Sequence, residues 1–388
     1  MSRRLLALVI AVPVALAPVA PAFAVAAPSL QTRLDQLTAA PEFPGAVAYV
    51  RDRDGKARTV KAGTAERGTR KPMPGADGRF RVASVSKPII AATVLKLADQ
   101  GKVELDEPVE RYLPGVVHGK GIDGREITVR MLLRQTSGLA DFSAAADWSK
   151  IGKQDLLKLA LTLDPTPRGR FAYSNTNYLV LGMVIQAATG RDFRAVSREL
   201  VFEPLGMRDT YWPAKGETKI RGPHAHAYGV HPLRPKDGVV DVTRLPGYEF
   251  GPSGGLVSTP RDLDRFWRAR SVKAERFVPV ADPGWPKGSR YGHGVMEIPL
   301  SCGPMWGHAG DLPGTSTFSG RDRSGRTATV YVTGTADGKP RARLIAGGGA
   351  PAPPGAAAKE RACPLTTPPW FPGELTAPRG PALPCVPG

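Results

Sequence analysis

The stretch Phe80-Arg-Val-Ala-Ser-Val-Ser-Lys87 sets a hydroxyl, Ser84, and an amine, Lys87, three residues apart. They stand just ahead of a run with Ile90, Val94 and Leu97 at helical spacing, so both fall on one face at a helix start and the amine can reach the hydroxyl. Pro88 fits there because first-turn N–H groups have no intrahelical partner, and Gly101 supplies the stop. Such a pair can make an acylated nucleophile if burial and nearby positive charge lower the lysine pKa, leaving a neutral amine to accept the serine proton. A Ser-x-x-Lys match arises roughly once or twice by chance in a chain of this length, and alone it would describe a capped helix with a solvated lysine. Here it occurs once, and two further elements follow it in order.

Tyr173-Ser-Asn175 is the one Tyr-x-Asn among nine tyrosines, and it precedes an apolar stretch from Tyr178 to Ile185 that reads as a helix. A phenol in a loop before a helix can be aimed into a cleft, whereas by itself the tripeptide would more often close a turn. His308-Ala-Gly310 is the one His-x-Gly in the chain and lies beside strand-forming sequence. A glycine there lets a substrate backbone lie against a strand edge, with a bulge or turn as the bland alternative.

The elements that must position these residues follow from the flanking patterns. Gln31 to Leu37 reads as a short helix and Gly45 to Val50 as a strand; Asp54-Gly55 reads as a two-residue turn leading to a returning strand from Lys56 to Ala62. Near the other end, Gly314 to Ser319, a turn from Asp322 to Gly325, and Thr327 to Val332 form a second β region. Helical patterns fill most of the space between. The expected fold class is α/β of the α+β kind: an antiparallel sheet built from both chain ends and flanked by helices, with an inserted, mainly helical subdomain.

In order and type, the three elements resemble the serine β-lactamase and penicillin-binding family, whose pattern is Ser-x-x-Lys, then Ser-Asp-Asn or Tyr-x-Asn, then Lys-Thr-Gly or His-x-Gly. Ile127 to Leu139, Pro204 to Tyr211 and Gly254 to Leu263 are also similar to that family, so the resemblance covers roughly Pro41 to Val332. It implies that Ser84 attacks a carbonyl, that Lys87 and Tyr173 handle its proton, and that Asn175 helps hold the substrate amide. His308 would take a position often held by lysine. The oxyanion would sit between the backbone N–H of Ser84 and that of Asp311, just beyond Gly310, at around 3 kcal/mol per donor. No metal and no cofactor is implied.

The activity the resemblance suggests first is that of a soluble D-alanyl-D-alanine carboxypeptidase acting on peptidoglycan peptides as a monomer, with β-lactams as acylating ligands. A cation beside the third motif would then receive the substrate carboxylate, a part His308 could play if protonated. A secreted esterase, a D-amino-acid peptidase and a class C-like β-lactamase share the same residues. A non-catalytic wall-binding relative is the alternative of another kind. Gln135 stands where relatives often carry histidine before Thr-Ser-Gly, which puts one local hydrogen bond in doubt.

Composition bounds these readings. Residues 1–24 read as a secretory signal, with Arg3 and Arg4 ahead of an apolar run broken by prolines and closed by Ala22-Phe23-Ala24, so export and no stable membrane insertion are expected. The formal charge of +18 draws an exported protein to anionic surfaces, but the arginines are dispersed without a nucleic-acid-binding motif, and no nucleic-acid partner is expected. Cys302, Cys363 and Cys385 allow one disulfide, expected between Cys302 and Cys363 because Cys385 lies in a tail that looks unstructured. The domain division is 1–24 signal, 28–335 hydrolase domain and 336–388 Pro/Gly-rich tail, since the 12 prolines from Thr335 onward disfavour helix and ladder hydrogen bonds. Gly251-Pro-Ser-Gly-Gly255 matches the nucleophile elbow Gly-x-Ser-x-Gly, yet no buried strand precedes it. His224-Ala-His226, without an evident carboxylate partner in sequence, reads as surface loop.

Overall fold

A computed structural model of the chain describes residues 29–334 apart from 148–149, 151–153, 248–249, 271–276 and 301–302. The expected signal, the Cys302–Cys363 pairing and the tail lie outside the described residues. An eight-stranded antiparallel sheet carries the fold. Its order is Ala57–Gly63, Gly45–Arg51, Thr327–Thr333, Thr315–Asp322, Gly303–Leu312, Met296–Leu300, Arg290–Tyr291 and Val278–Pro279. The first and last described strands therefore pair, Gly45 opposite Thr333 and Val47 opposite Tyr331, as the flanking β patterns predict.

The Gly45–Arg51 strand is a nearly continuous apolar run because both sheet faces are covered. On one face Leu34 and Leu37 of the Leu30–Thr38 helix pack on Ala46, Ala48, Val330 and Val332. On the other, Val47 and Tyr331 join a core with Ile89, Ile90 and Val94 of the Ser86–Asp99 helix, and the Phe80 ring stacks on Tyr331 at 4.2 Å between centroids.

Three local expectations change. The first turn takes three residues, not two: Asp52 N–H donates to Lys56 O, Gly55 N–H donates to Asp52 O, and of these residues Gly55 is the one with positive φ, at 85°. That is the Gly-closed three-residue hairpin. The strand expected from Gly314 starts at Thr315, since Gly314 (φ 76°) makes the turn. The span between the chain ends is less helical than expected: besides the helices Asn175–Thr189 and Pro260–Ala269 it holds a hairpin, Tyr228–His231 with Arg234–Asp241, and four strands of the main sheet. These strands were hard to see because two are only two residues long and Gly303–Leu312 mixes Gly, Pro, His and Asp.

The Pro260–Ala269 helix is fastened to the sheet by polar groups inside the core. Asp264, 1% exposed, accepts from Arg51 Nε at 2.8 Å and from Thr327 Oγ1, and Trp267 Nε1 donates to Ser319 Oγ at 2.8 Å. Asp264→Ala leaves Arg51 Nε and Thr327 Oγ1 without their acceptor, although Arg51 keeps Gly55 O and Tyr49 Oη. It should lower unfolding free energy by about 3 kcal/mol in urea titrations with an unchanged slope, and a loss under about 1 kcal/mol would contradict this role.

Candidate active site

Ser84 lies on a 3-10 turn, Ala83–Val85, that runs directly into the Ser86–Asp99 helix. Ala83 holds φ at 50°, a left-handed conformation rare for a side chain with a Cβ, so the turn carries backbone strain immediately before Ser84. Ser86 holds it in place: its Oγ donates to Ala83 O at 2.6 Å and accepts from Leu256 N at 3.1 Å. One turn on, Lys87 is fully buried, with Nζ 3.0 Å from Ser84 Oγ, 2.8 Å from Asn175 Oδ1 and 2.9 Å from Ser253 O. Burial pushes the Lys87 amine down to about 7, against the opposing pull of the Asp141 carboxylate. Desolvation thus lowers this pKa, and the charge acting on it is a negative one that opposes the shift.

The hydrogen-bond partners also fix the direction of the amine. Asn175 Nδ2 donates to Asp141 Oδ2 at 3.1 Å, and a carboxylate can only accept, so Asn175 must turn its oxygen to Lys87. Asp141 is itself held by Ser143 N–H at 3.0 Å. A neutral amine has two N–H bonds and one lone pair. Asn175 Oδ1 and the Ser253 carbonyl take the two N–H bonds, leaving the lone pair for Ser84, the one partner able to donate. That is the geometry of a general base on a serine hydroxyl.

Tyr173 borders both Ser84 and Lys87, its ring centroid 4.8 Å from Lys87 Nζ. Burial holds its phenol well above the usual value, and a hydrogen bond with Ser84 only partly offsets this. At neutral pH it is therefore a proton donor, not a phenolate. His308 is 2% exposed; its Nδ1 is bonded to Ala309 O, so Nε2 accepts from Tyr291 Oη at 3.0 Å. Burial, reinforced by Lys87, pushes the imidazole down to about 3. His308 is neutral at pH 7 and does not supply the cation that the carboxypeptidase expectation asked of it.

The third motif lies within the Gly303–Leu312 strand, at the point where that strand outlives its neighbour. Met296–Leu300 pairs with Gly303 through Gly307 and stops; Ala309 N–H then donates to Met296 Sδ at 3.3 Å, so among the described residues Gly310 to Leu312 are left without a neighbouring strand on that side. A Cβ on Gly310 would stand 2.4 Å from Val82 O and 3.0 Å from Ser84 N. Glycine is thus required for the strand backbone to reach the Ser84 N–H, where the expected oxyanion site lies. The Asp311 side chain accepts from Ser316 Oγ at 2.6 Å, and desolvation raises its carboxyl to about 6.

The fold gathers Ser84, Lys87, Tyr173, Asn175, His308 and the Gly310–Asp311 backbone, and Asn175, partly exposed, is bonded to Lys87 and Asp141. Gln135 replaces the hydrogen bond that was in doubt: its Oε1 accepts from Ser174 N at 3.0 Å and from Asn177 Nδ2. Ser253 is no nucleophile in this arrangement. Its hydroxyl donates to Phe250 O, while its carbonyl orients Lys87. His226 does have carboxylate neighbours, Asp241 at 2.6 Å and Glu66 at 4.0 Å, and His224 instead faces Gly222 O. Asp141 carried no motif in the sequence, and nor did the aromatic residues Phe171, Trp285 and Tyr291 beside Tyr173.

Two outcomes are expected. The acylation rate should rise with pH through about 7 and then level off, because Lys87 works as the neutral amine that its depressed pKa favours above that point. In Asp141→Asn the loss of the opposing charge moves this limb to lower pH, and the loosened Asn175 lowers the plateau by roughly tenfold to hundredfold; an unmoved limb in pH–kcat/KM profiles counts against the relay. Gly310→Ala should cost about a hundredfold in kcat/KM while the circular dichroism spectrum is preserved, and near-normal turnover would show the close approach to be unimportant.

A family model described as Beta-lactamase matches residues 30–348. Esterase EstB of Burkholderia gladioli is 35% identical over 374 residues, covering 81% of this chain and 93% of that protein. Penicillin-binding protein 4 of Amycolatopsis lactamdurans is 28% identical over 337 residues, covering 78% and 86%. The crystal structure of a D-stereospecific amidohydrolase from a Streptomyces species superposes with a TM-score of 0.69 at 32% identity, covering 80% of this chain and 94% of that one. With the serine, lysine and tyrosine gathered in this fold and the family model matched over most of its length, the chain belongs to the β-lactamase family of serine hydrolases.

Proposed function

We propose that the protein is an exported serine acyl hydrolase of neutral esters and amides. Ser84 attacks the carbonyl, its proton passes to Lys87, and Tyr173 donates to the departing oxygen or nitrogen; water then releases the acyl group. The observation that carries this reading is the charge beside the third motif. There a free substrate carboxylate would meet a neutral His308 and the Asp311 carboxyl, an environment that favours a substrate without negative charge. Similarity to an esterase and to an amidohydrolase supports the same choice. The leader-like residues 1–24 support export.

A D-alanyl-D-alanine carboxypeptidase acting on peptidoglycan peptides is the second reading. It is favoured by the strand edge from Gly310 to Leu312, which among the described residues has no neighbouring strand and which an extended peptide can line with backbone hydrogen bonds. Purified protein should hydrolyse 1-naphthyl acetate and D-phenylalaninamide with kcat/KM at least about tenfold above that for diacetyl-L-lysyl-D-alanyl-D-alanine. Ser84→Ala should abolish turnover and labelling by a fluorescent penicillin. Faster D-alanine release from the peptide would reverse the order of the two readings, and turnover surviving in Ser84→Ala would sink both.

A further inference from the structure

We infer that the departing group of the substrate leaves against an aromatic wall and that Trp285 makes the enzyme prefer alcohols or amines bearing a ring; this rests on the acyl-hydrolase reading above. Tyr173 is hydrogen-bonded to Ser84 and is the neutral donor on its side of the nucleophile. As the Ser84 Oγ–acyl bond forms and the bond from the acyl carbon to the departing oxygen or nitrogen breaks, the serine proton goes to Lys87 and a proton from Tyr173 goes to the departing atom. That atom must therefore come within hydrogen-bond reach of the Tyr173 hydroxyl, beside the rings that surround it.

Other rings continue from Tyr173 without a break. Trp285 stands 6.2 Å and Tyr291 6.5 Å from it between centroids. Phe171 meets Trp285 edge-on at 5.4 Å and lies 5.4 Å from Tyr291, and Tyr291 meets the His308 ring at 5.8 Å. If this cluster were simply core, its outer members would be sealed, yet Phe171, Tyr173 and Trp285 all keep part of their surface open to solvent.

Trp285 is also held in place. It lies on the connection between the edge strands Val278–Pro279 and Arg290–Tyr291. That connection is closed by Val280 N–H to Ser289 O, Trp285 N–H to Asp282 O and Ser289 N–H to Pro286 O, each 3.0 Å, and by Gly284 N–H to Asp282 Oδ1 at 2.8 Å. An indole carried on a hydrogen-bonded loop, packed against ring neighbours and partly exposed, offers a planar apolar group both stacking and edge-to-face partners. A short alkyl group gains neither.

Benzyl acetate and ethyl acetate release alcohols of similar acidity, so their ratio of kcat/KM reads recognition of the ring. Wild-type protein should favour the benzyl ester by about tenfold or more, Trp285→Leu should bring the ratio towards one, and Trp285→Phe should keep most of it. A wild-type ratio near one, or an unchanged ratio in Trp285→Leu, overturns the inference while acyl hydrolysis stands. Turnover of neither ester, with no labelling of Ser84 by a fluorophosphonate, is the different result that removes the underlying reading.

Discussion

A lysine amine sealed from water is the constraint on which the rest of the site depends. Once buried, Lys87 must satisfy its N–H bonds within the protein, and every group that does so is thereby fixed in position. Asn175 must present its oxygen, Asp141 must hold the other end of that amide, and the Ser253 carbonyl must point inward. The same burial that lowers the amine pKa to about 7 leaves one direction for the lone pair, towards Ser84. Chemistry and packing are here consequences of a single desolvation.

The second requirement is close approach. The strained turn at Ala83 lifts Ser84 towards the sheet, and the sheet answers with a strand whose neighbour has ended and whose glycine leaves room for the turn. A peptide edge beside a nucleophile suits an extended substrate, while the wall of rings from Tyr173 to Trp285 suits an apolar one. The neutral His308 and the raised Asp311 carboxyl make the surroundings of the third motif unfavourable to anions. This local character differs from the chain's formal charge of +18.

Several residues changed meaning once their neighbours were known. Gln135 stands in a left-handed conformation at φ 61° and uses its side-chain oxygen to secure the Ser174 backbone, so the departure from histidine leaves the second motif anchored. Ser253, a rival nucleophile by its glycine spacing, contributes through its backbone. The fold tolerates this because Gly251–Gly254 forms a short helical turn packed beside the Ser86–Asp99 helix.

The amino-acid sequence by itself brought Ser84 and Lys87 together, since i and i+3 at a helix start are neighbours by local geometry alone. It pointed to a sheet that joins the β patterns near its two ends, because each apolar run needs a partner strand and a covered face. The sign of charge at His308, the part of Asp141, the open strand edge and the aromatic wall were decided only by tertiary structure. Each depends on desolvation or on contacts between segments tens to hundreds of residues apart, and no short-range pattern records which residues will share a cavity.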